Sequence, residues 1–224
     1  RMFIIVGNKI HAADIYTGRH LWTTSVSPSS KTKRRLQGHM ITQRNTADNF
    51  VAAPDSLYVI RQHTLLRLDP ATGAVQGEIA MPDGTAEGLP ESWSDSRPTW
   101  DGVRLWQDRI VASAGGLLLC MDSHTGDLEW TFRPAKDRLN FALGNGRAYL
   151  VDFRRDALRR RGEGKPGRNT VYALDIASGE VLWKNQAQSP PDTANKGTKD
   201  RFDPLAPCLS YSVSTDTLLL TATR

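Results

Sequence analysis

Five histidines are the residues best suited to acid–base or metal chemistry, and their spacing supports neither. His11 and His20 flank one turn segment, His124 sits in a turn, His63 in a short connection and His39 in a long one. None shows H-x-x-x-H or H-E-x-x-H spacing, and there is no G-x-S-x-G elbow or phosphate-binding glycine loop. Other segments are suited to binding. His39-Met-Ile-Thr-Gln-Arg44-Asn45, followed by Asp48-Asn49, gathers donors and acceptors in one stretch. Trp93, Trp100 and Trp106 are three of the six tryptophans, and they fall within fourteen residues together with Arg97. They read as an aromatic wall for a flat ligand or a sugar, or as a loop packed on its own sheet. Asp200-Arg201-Phe202-Asp203 brings carboxylates and a cation that are placed to pair with each other.

These segments hang on a repeat. Asp14-Ile-Tyr-Thr-Gly18-Arg-His-Leu-Trp22 recurs as Asp122-Ser-His-Thr-Gly126-Asp-Leu-Glu-Trp130 and as Asp175-Ile-Ala-Ser-Gly179-Glu-Val-Leu-Trp183. A fourth copy, Asp69-Pro-Ala-Thr-Gly73-Ala-Val-Gln-Gly77, keeps the turn and lacks the Trp. The glycines are 55, 53 and 53 residues apart. Asp accepts bonds from the backbone ahead of it and Gly supplies a positive φ, so D-x-x-[TS]-G predicts a tight hairpin. The hairpins span residues 9–26, 64–79, 116–132 and 170–185. Upstream of each lies another short β-rich run, and upstream of the last three a further one, joined to it by turns such as Pro54-Asp55, Gln107-Asp108 and Gly144-Asn145-Gly146. Four antiparallel strands per period predict an all-β propeller. No segment keeps a 3.6-residue period; 156–161 allows one helical turn at most.

The unit A-x-D-x-x-T-G-x-x-x-W resembles the tryptophan-docking repeat of the pyrroloquinoline quinone (PQQ)-repeat, quinoprotein-like propellers. Ala12, Asp14, Thr17, Gly18 and Trp22 match fully, and Ala173, Asp175, Ser178, Gly179 and Trp183 match with one conservative change. Cys120 stands where Ala is usual, and Arg67 and Gly77 replace both Ala and Trp. The resemblance implies that residues 1–224 are about four blades of an eight-bladed ring within a longer chain. It implies that Trp22, Trp130 and Trp183 are buried, each near a glycine turn of a neighbouring repeat, with Ala12, Gly18, Gly73, Gly126, Ala173 and Gly179 as the other docking residues and a thinner contact at Gly77. It also implies a periplasmic or secreted location. The family has two branches. Its dehydrogenases bind PQQ with calcium in the channel, for which Asp48, Asn49 and Asp203 offer oxygen ligands of the right type. No cofactor is expected on the other branch, that of non-catalytic scaffolds. The long irregular loops and the degenerate second repeat resemble that second branch more closely.

Alternating connections sort the chain into two faces. The D-x-x-[TS]-G turns share one face, while the long segments 27–48, 80–99, 154–168 and 187–207 are expected on the other. That face is the expected site for a protein or small-molecule ligand, with His39, Arg44, Asn45, Asp48, Asn49, Trp93, Arg97, Trp100 and Asp203 as candidates. No apolar run reaches the length of a membrane span. Cys120 and Cys208 are expected as buried free thiols.

The formal net charge is +5. Residues 154–168 hold seven basic and two acidic side chains and so carry that whole excess. Neither this segment nor Lys31-Thr-Lys-Arg-Arg35 interleaves aromatics as a nucleic-acid surface does. Both read as solvated loops. Replacing Arg159, Arg160 and Arg161 together with Ser is therefore expected to change stability by no more than about 0.5 kcal/mol per site, checked by urea unfolding.

Overall fold

The computed structural model describes residues 1–6, 9–26, 50–61, 63–83, 100–135, 138–153, 169–187 and 208–221. His39, Arg44, Asn45, Asp48, Asn49, Trp93, Arg97 and Asp203 lie outside the described residues, as do the segment 154–168 and its helical turn. Among the described residues every regular element is a β-strand. The chain divides into two compact units, one of residues 1–114 with 124–126, the other of residues 115–123 with 127–224.

In the first unit, β1 (Met2–Val6), β2 (Lys9–Ala13) and β3 (His20–Ser25) form an antiparallel sheet in sequence order. A second sheet of four strands follows: β4 (Phe50–Ala52), β5 (Leu57–Arg61), β6 (Thr64–Leu68) and β7 (Val75–Ala80). Next come β8 (Trp100–Trp106) and β9 (Arg109–Ala114), paired as a hairpin. Ile10, Ala12, Trp22 and Val26 pack with Leu57, Val59, Leu66 and Leu68 in one core. β4 also lies against β8, so the first strands of successive repeats are neighbours.

The second unit opens with the hairpin β10 (Leu117–Asp122) and β11 (Leu128–Phe132). A meander of four strands follows: β12 (Arg138–Gly144), β13 (Arg147–Phe153), β14 (Asn169–Asp175) and β15 (Val181–Ala187). The last hairpin is β16 (Cys208–Ser212) with β17 (Thr217–Thr221). Ala142, Val151, Val171 and Leu209 form its core, with Tyr211 and Leu218 against them. β16 lies beside β12, which repeats the β4–β8 arrangement.

The repeat motif is legible in the hydrogen bonds. Asp14 Oδ1 accepts the N–H groups of Tyr16 (3.0 Å) and Thr17 (2.8 Å) and the Thr17 hydroxyl (2.9 Å). These donors, Thr17 foremost, hold the Asp14 carboxyl below the usual carboxylate range. Asp69 accepts from Ala71 and Thr72 N–H, and Asp175 from Ala177 and Ser178 N–H. Each glycine that closes the turn has a φ near the left-handed region, from 69° at Gly18 to 80° at Gly126. A side chain there is strained, which is why the position is Gly. Just before each Asp the pairing slips, at Ala12/Ala13, Arg67/Leu68, Cys120/Met121 and Ala173/Leu174. The same bulge recurs in all four copies and bends the strand into its turn.

The small residue of the motif has a packing reason. Across the first sheet Phe3, Ala12 and Trp22 stand opposite one another, and the Phe3 and Trp22 rings meet at 5.8 Å. In the fourth copy Tyr149, Ala173 and Trp183 form the same row, with rings 6.2 Å apart. Two aromatics close over the middle strand, so only a small side chain fits between them. In the second copy the row is Tyr58, Arg67 and Gly77. Losing the indole leaves room, and Arg67 fills it, donating from Nε to Ser56 Oγ at 2.8 Å. Ala12→Leu is accordingly expected to cost about 1–3 kcal/mol by overpacking, whereas Arg67→Leu costs less than Ala12→Leu. Urea unfolding of the two variants checks the order.

Candidate functional site

Two kinds of site residue have to be placed, those that join repeats and those that face solvent. The joining residues act in two places with the same geometry. The Trp22 indole lies on Gly73: a Cβ added to Gly73 would stand 2.7 Å from Trp22 Cδ2. Its Nε1 donates to the Pro70 carbonyl at 3.2 Å, and Thr24 Oγ1 donates to the Gly73 carbonyl at 2.6 Å. In the other unit the Trp130 indole lies on Gly179, again 2.7 Å from a Cβ that glycine lacks. Trp130 Nε1 donates to the Ile176 carbonyl at 2.8 Å. Pro70 and Ile176 both follow the Asp of their turn, so the two contacts are equivalent. The indole face takes a bare peptide and the indole N–H takes a carbonyl that the turn leaves open.

The remaining positions differ. Gly77 carries no indole, and Gly126 is met by Ile79, whose Cγ2 would stand 3.1 Å from an added Cβ. Ile79 occupies the position of Thr24 in the first repeat, two residues beyond the missing ring. Its side chain fills part of the space without a polar bond of its own. Trp183 departs from the expectation of burial, being 41% exposed, against 8% for Trp22 and 9% for Trp130. Its ring packs against Tyr149, with centroids 6.2 Å apart. No described side chain approaches an added Cβ at Gly18 within 4 Å.

Tyr149 is itself covered by Tyr211, with ring centroids 5.3 Å apart and planes 17° from parallel. The Tyr211 ring occupies the space where a side chain on Gly144 would sit, which explains a glycine at the end of β12. Tyr211 donates to Asp216 Oδ1 across its hairpin. That bond to a carboxylate, with some burial, pushes the phenol up to about 12. Sequence reasoning did not find this stack, because Tyr149 and Tyr211 read as ordinary strand aromatics.

Strand ends define the two faces of each sheet. In the second unit the β12–β13 turn and the β14–β15 turn lie at one end, tied by an Ile176 N–H bond to the Gly146 carbonyl at 3.0 Å. The ends of β13 and β14 that flank 154–168 are at the opposite end, as antiparallel order requires. Close to them is a buried polar group that the sequence did not single out. Asp152 is fully buried; its Oδ1 accepts the Thr170 N–H at 2.8 Å and Oδ2 the Tyr172 hydroxyl at 3.5 Å. Burial first, and then the Asp152 charge, raise the Tyr172 phenol.

Of the expected ligand-face residues only Trp100 is described. It is 2% exposed, and its Nε1 is buried without a hydrogen-bond partner among the described residues. It therefore packs into its sheet and does not present an open aromatic wall. Cys120 is buried, its Sγ 3.6 Å from Glu129 Oε2 and 3.9 Å from the Ile176 carbonyl oxygen, and the Cys208 side chain lies outside the description. Among the described residues no group of three or more His, Cys, Asp or Glu side chains converges on a point that could hold a metal ion. No described helix is long and apolar enough to cross a membrane.

Comparisons with known proteins agree with this architecture. A family model described as outer membrane protein assembly factor BamB, of the PQQ-repeat type, matches residues 61–201. A search of curated proteins gives no match. Among solved structures, BamB from Moraxella catarrhalis is similar at 18% identity and a TM-score of 0.46, over 80% of this chain and 46% of that one. A quinohemoprotein alcohol dehydrogenase from Pseudomonas putida is similar at 16% identity and a TM-score of 0.46, over 61% of this chain and 20% of that one. The WD40 domain of Neurospora crassa Pan2 is similar at 13% identity and a TM-score of 0.50, over 84% of this chain and 52% of that one. The chain thus spans between 20% and 52% of the length of these solved chains. WD40 domains are propellers, so this likeness agrees with the sheets described above.

The contact geometry orders the cost of removing each ring. Trp22→Ala and Trp130→Ala are expected to destabilise by about 3–5 kcal/mol each. Trp183→Ala should cost less, because 41% of its surface is already exposed. Gly18→Ala should cost about 1–2 kcal/mol through φ alone, and Gly179→Ala more, since its Cβ would also enter the Trp130 ring. Equilibrium denaturation of the five variants tests the ranking.

Proposed function

The chain belongs to the family described as outer membrane protein assembly factor BamB, and on that premise we propose that it is a non-catalytic binding scaffold of an extracytoplasmic bacterial protein. The observation that carries this reading is the match over residues 61–201, which names an assembly factor and spans the second to fourth repeats. The repeat geometry supports it. Trp22 on Gly73 and Trp130 on Gly179 act as docking tryptophans that lock one repeat to the next. A sheet array locked in this way gives a rigid platform at little entropic cost on binding. Two of the four short turns, those of Gly73 and Gly179, are taken up by these contacts. The opposite strand ends, from which the segments 27–48, 80–99, 154–168 and 187–207 depart, are left to meet a partner. A polypeptide partner is the class that the family description favours.

Binding of a fluorescently labelled, unfolded outer-membrane β-barrel polypeptide tests the reading. Saturable binding by the chain is expected, with no quinone absorbance after addition of PQQ and calcium. A quinone spectrum with dye-coupled alcohol oxidation, and no polypeptide binding, would replace the scaffold with the dehydrogenase alternative.

A further inference from the structure

The first repeat carries a histidine pair that the other three lack. His11 Nδ1 lies 2.9 Å from Thr23 Oγ1, and His20 Nε2 lies 2.7 Å from the same oxygen. The two rings are edge to face at 6.2 Å. Neither imidazole nor the hydroxyl takes part in the repeat-joining contacts.

The bulge brings them together. His11 is paired with Thr23 and Ala12 with Trp22, but Ala13 is paired with His20, with Leu21 as the extra residue. Without the slip His20 and Trp22, two apart, would share a face. The bulge turns His20 to the face opposite the indole, beside His11 and Thr23. The equivalent positions in the other repeats are Leu66 and Val75, Leu119 and Leu128, and Tyr172 and Val181. The repeat thus places apolar or aromatic side chains here, and the first copy alone places two imidazoles around a hydroxyl.

One hydroxyl proton cannot serve two nitrogen lone pairs. If Thr23 donates to one ring, the other ring must donate its own N–H to Thr23 Oγ1. Two neutral imidazoles aimed at one point are also the donor set of a late first-row divalent cation, which accepts both lone pairs at once. We propose that His11 and His20 form a two-imidazole binding site for a cation of the copper or zinc class. The ion takes the place between the rings now bridged by the Thr23 hydroxyl, and water completes its shell. Metal–nitrogen distances of about 2.0–2.1 Å require the rings to close in slightly, which the exposed His20 side chain allows. Lys9, Arg19 and Asp14 are the nearest charged residues on the hairpin. Lys9 and Arg19 are exposed, so their repulsion is screened. Two protein ligands give a site of moderate affinity, in which Cu²⁺ binds more tightly than Zn²⁺. The site stands independently of the scaffold reading.

Calorimetric titration of the whole chain with CuCl₂, and separately with ZnCl₂, in a non-chelating buffer tests it. One Cu²⁺ per chain is expected, bound at least about tenfold more tightly than Zn²⁺, with imidazole nitrogen couplings in the electron paramagnetic resonance spectrum. His11→Gln and His20→Gln should each weaken Cu²⁺ binding by at least about tenfold. In the unaltered chain, Zn²⁺ should shift the NMR signals of the His11 and His20 rings, which needs no variant to fold. No binding would overturn the site and leave a hydrogen-bond relay only. So would unchanged binding in both variants, which would assign the ion to His39, His63 or His124.

Discussion

An indole plate lying on a bare glycine peptide is the contact on which the array depends. It couples two repeats whose strands do not hydrogen-bond to each other. The contact needs three things at once: a flat apolar ring, a backbone with no Cβ, and an open carbonyl for the indole N–H. The D-x-x-[TS]-G turn meets the last two together, because its Asp satisfies the leading N–H groups and leaves the carbonyl of the following residue free. The motif is therefore a hairpin signal and also a receiving surface. The cross-strand Ala completes it, since the ring needs a low neighbour on its own sheet.

The second repeat shows what happens when one part changes. With Gly at the indole position the cross-strand residue grows to Arg67, and the next residue on the same face, Ile79, reaches the glycine of the third turn. The bulge, the turn and its hydrogen bonds persist there unchanged in kind. Local backbone structure and the contact between repeats are thus separable: the former follows from Asp, Thr and Gly within the turn, the latter from a side chain on the following strand.

The fold was legible because a periodic sequence repeats its own test. Four copies of one turn fixed the hairpins, and the runs before them marked their partner strands. Element ends were less legible: β8 begins at Trp100 where alternation alone suggests Val103, because Asp101 is the extra residue of a bulge between Trp100 and Gly102 and breaks the pattern. Exposure at Trp183 could not be read from its motif, since the motif describes the ring and says nothing of what lies across from it. The His11–His20 pair was hidden for a related reason. Their separation of nine residues resembles no ligand spacing, and only the bulge brings them to one face. Asp152 was missed because a carboxylate at a strand end reads as solvent-exposed.

The contacts described are of two kinds, and the difference grades the turns by what each glycine would tolerate. Trp22 and Trp130 hold their glycines through a broad face and a directional bond; Ile79 holds Gly126 by one branched tip at van der Waals range. An added methyl would enter an indole at Gly73 and Gly179, crowd a single aliphatic side chain at Gly126 and meet nothing at Gly18. Relaxing the motif in the second repeat has thereby eased the steric demand on the glycine of the third turn, so that its φ of 80° becomes the larger part of what still requires it.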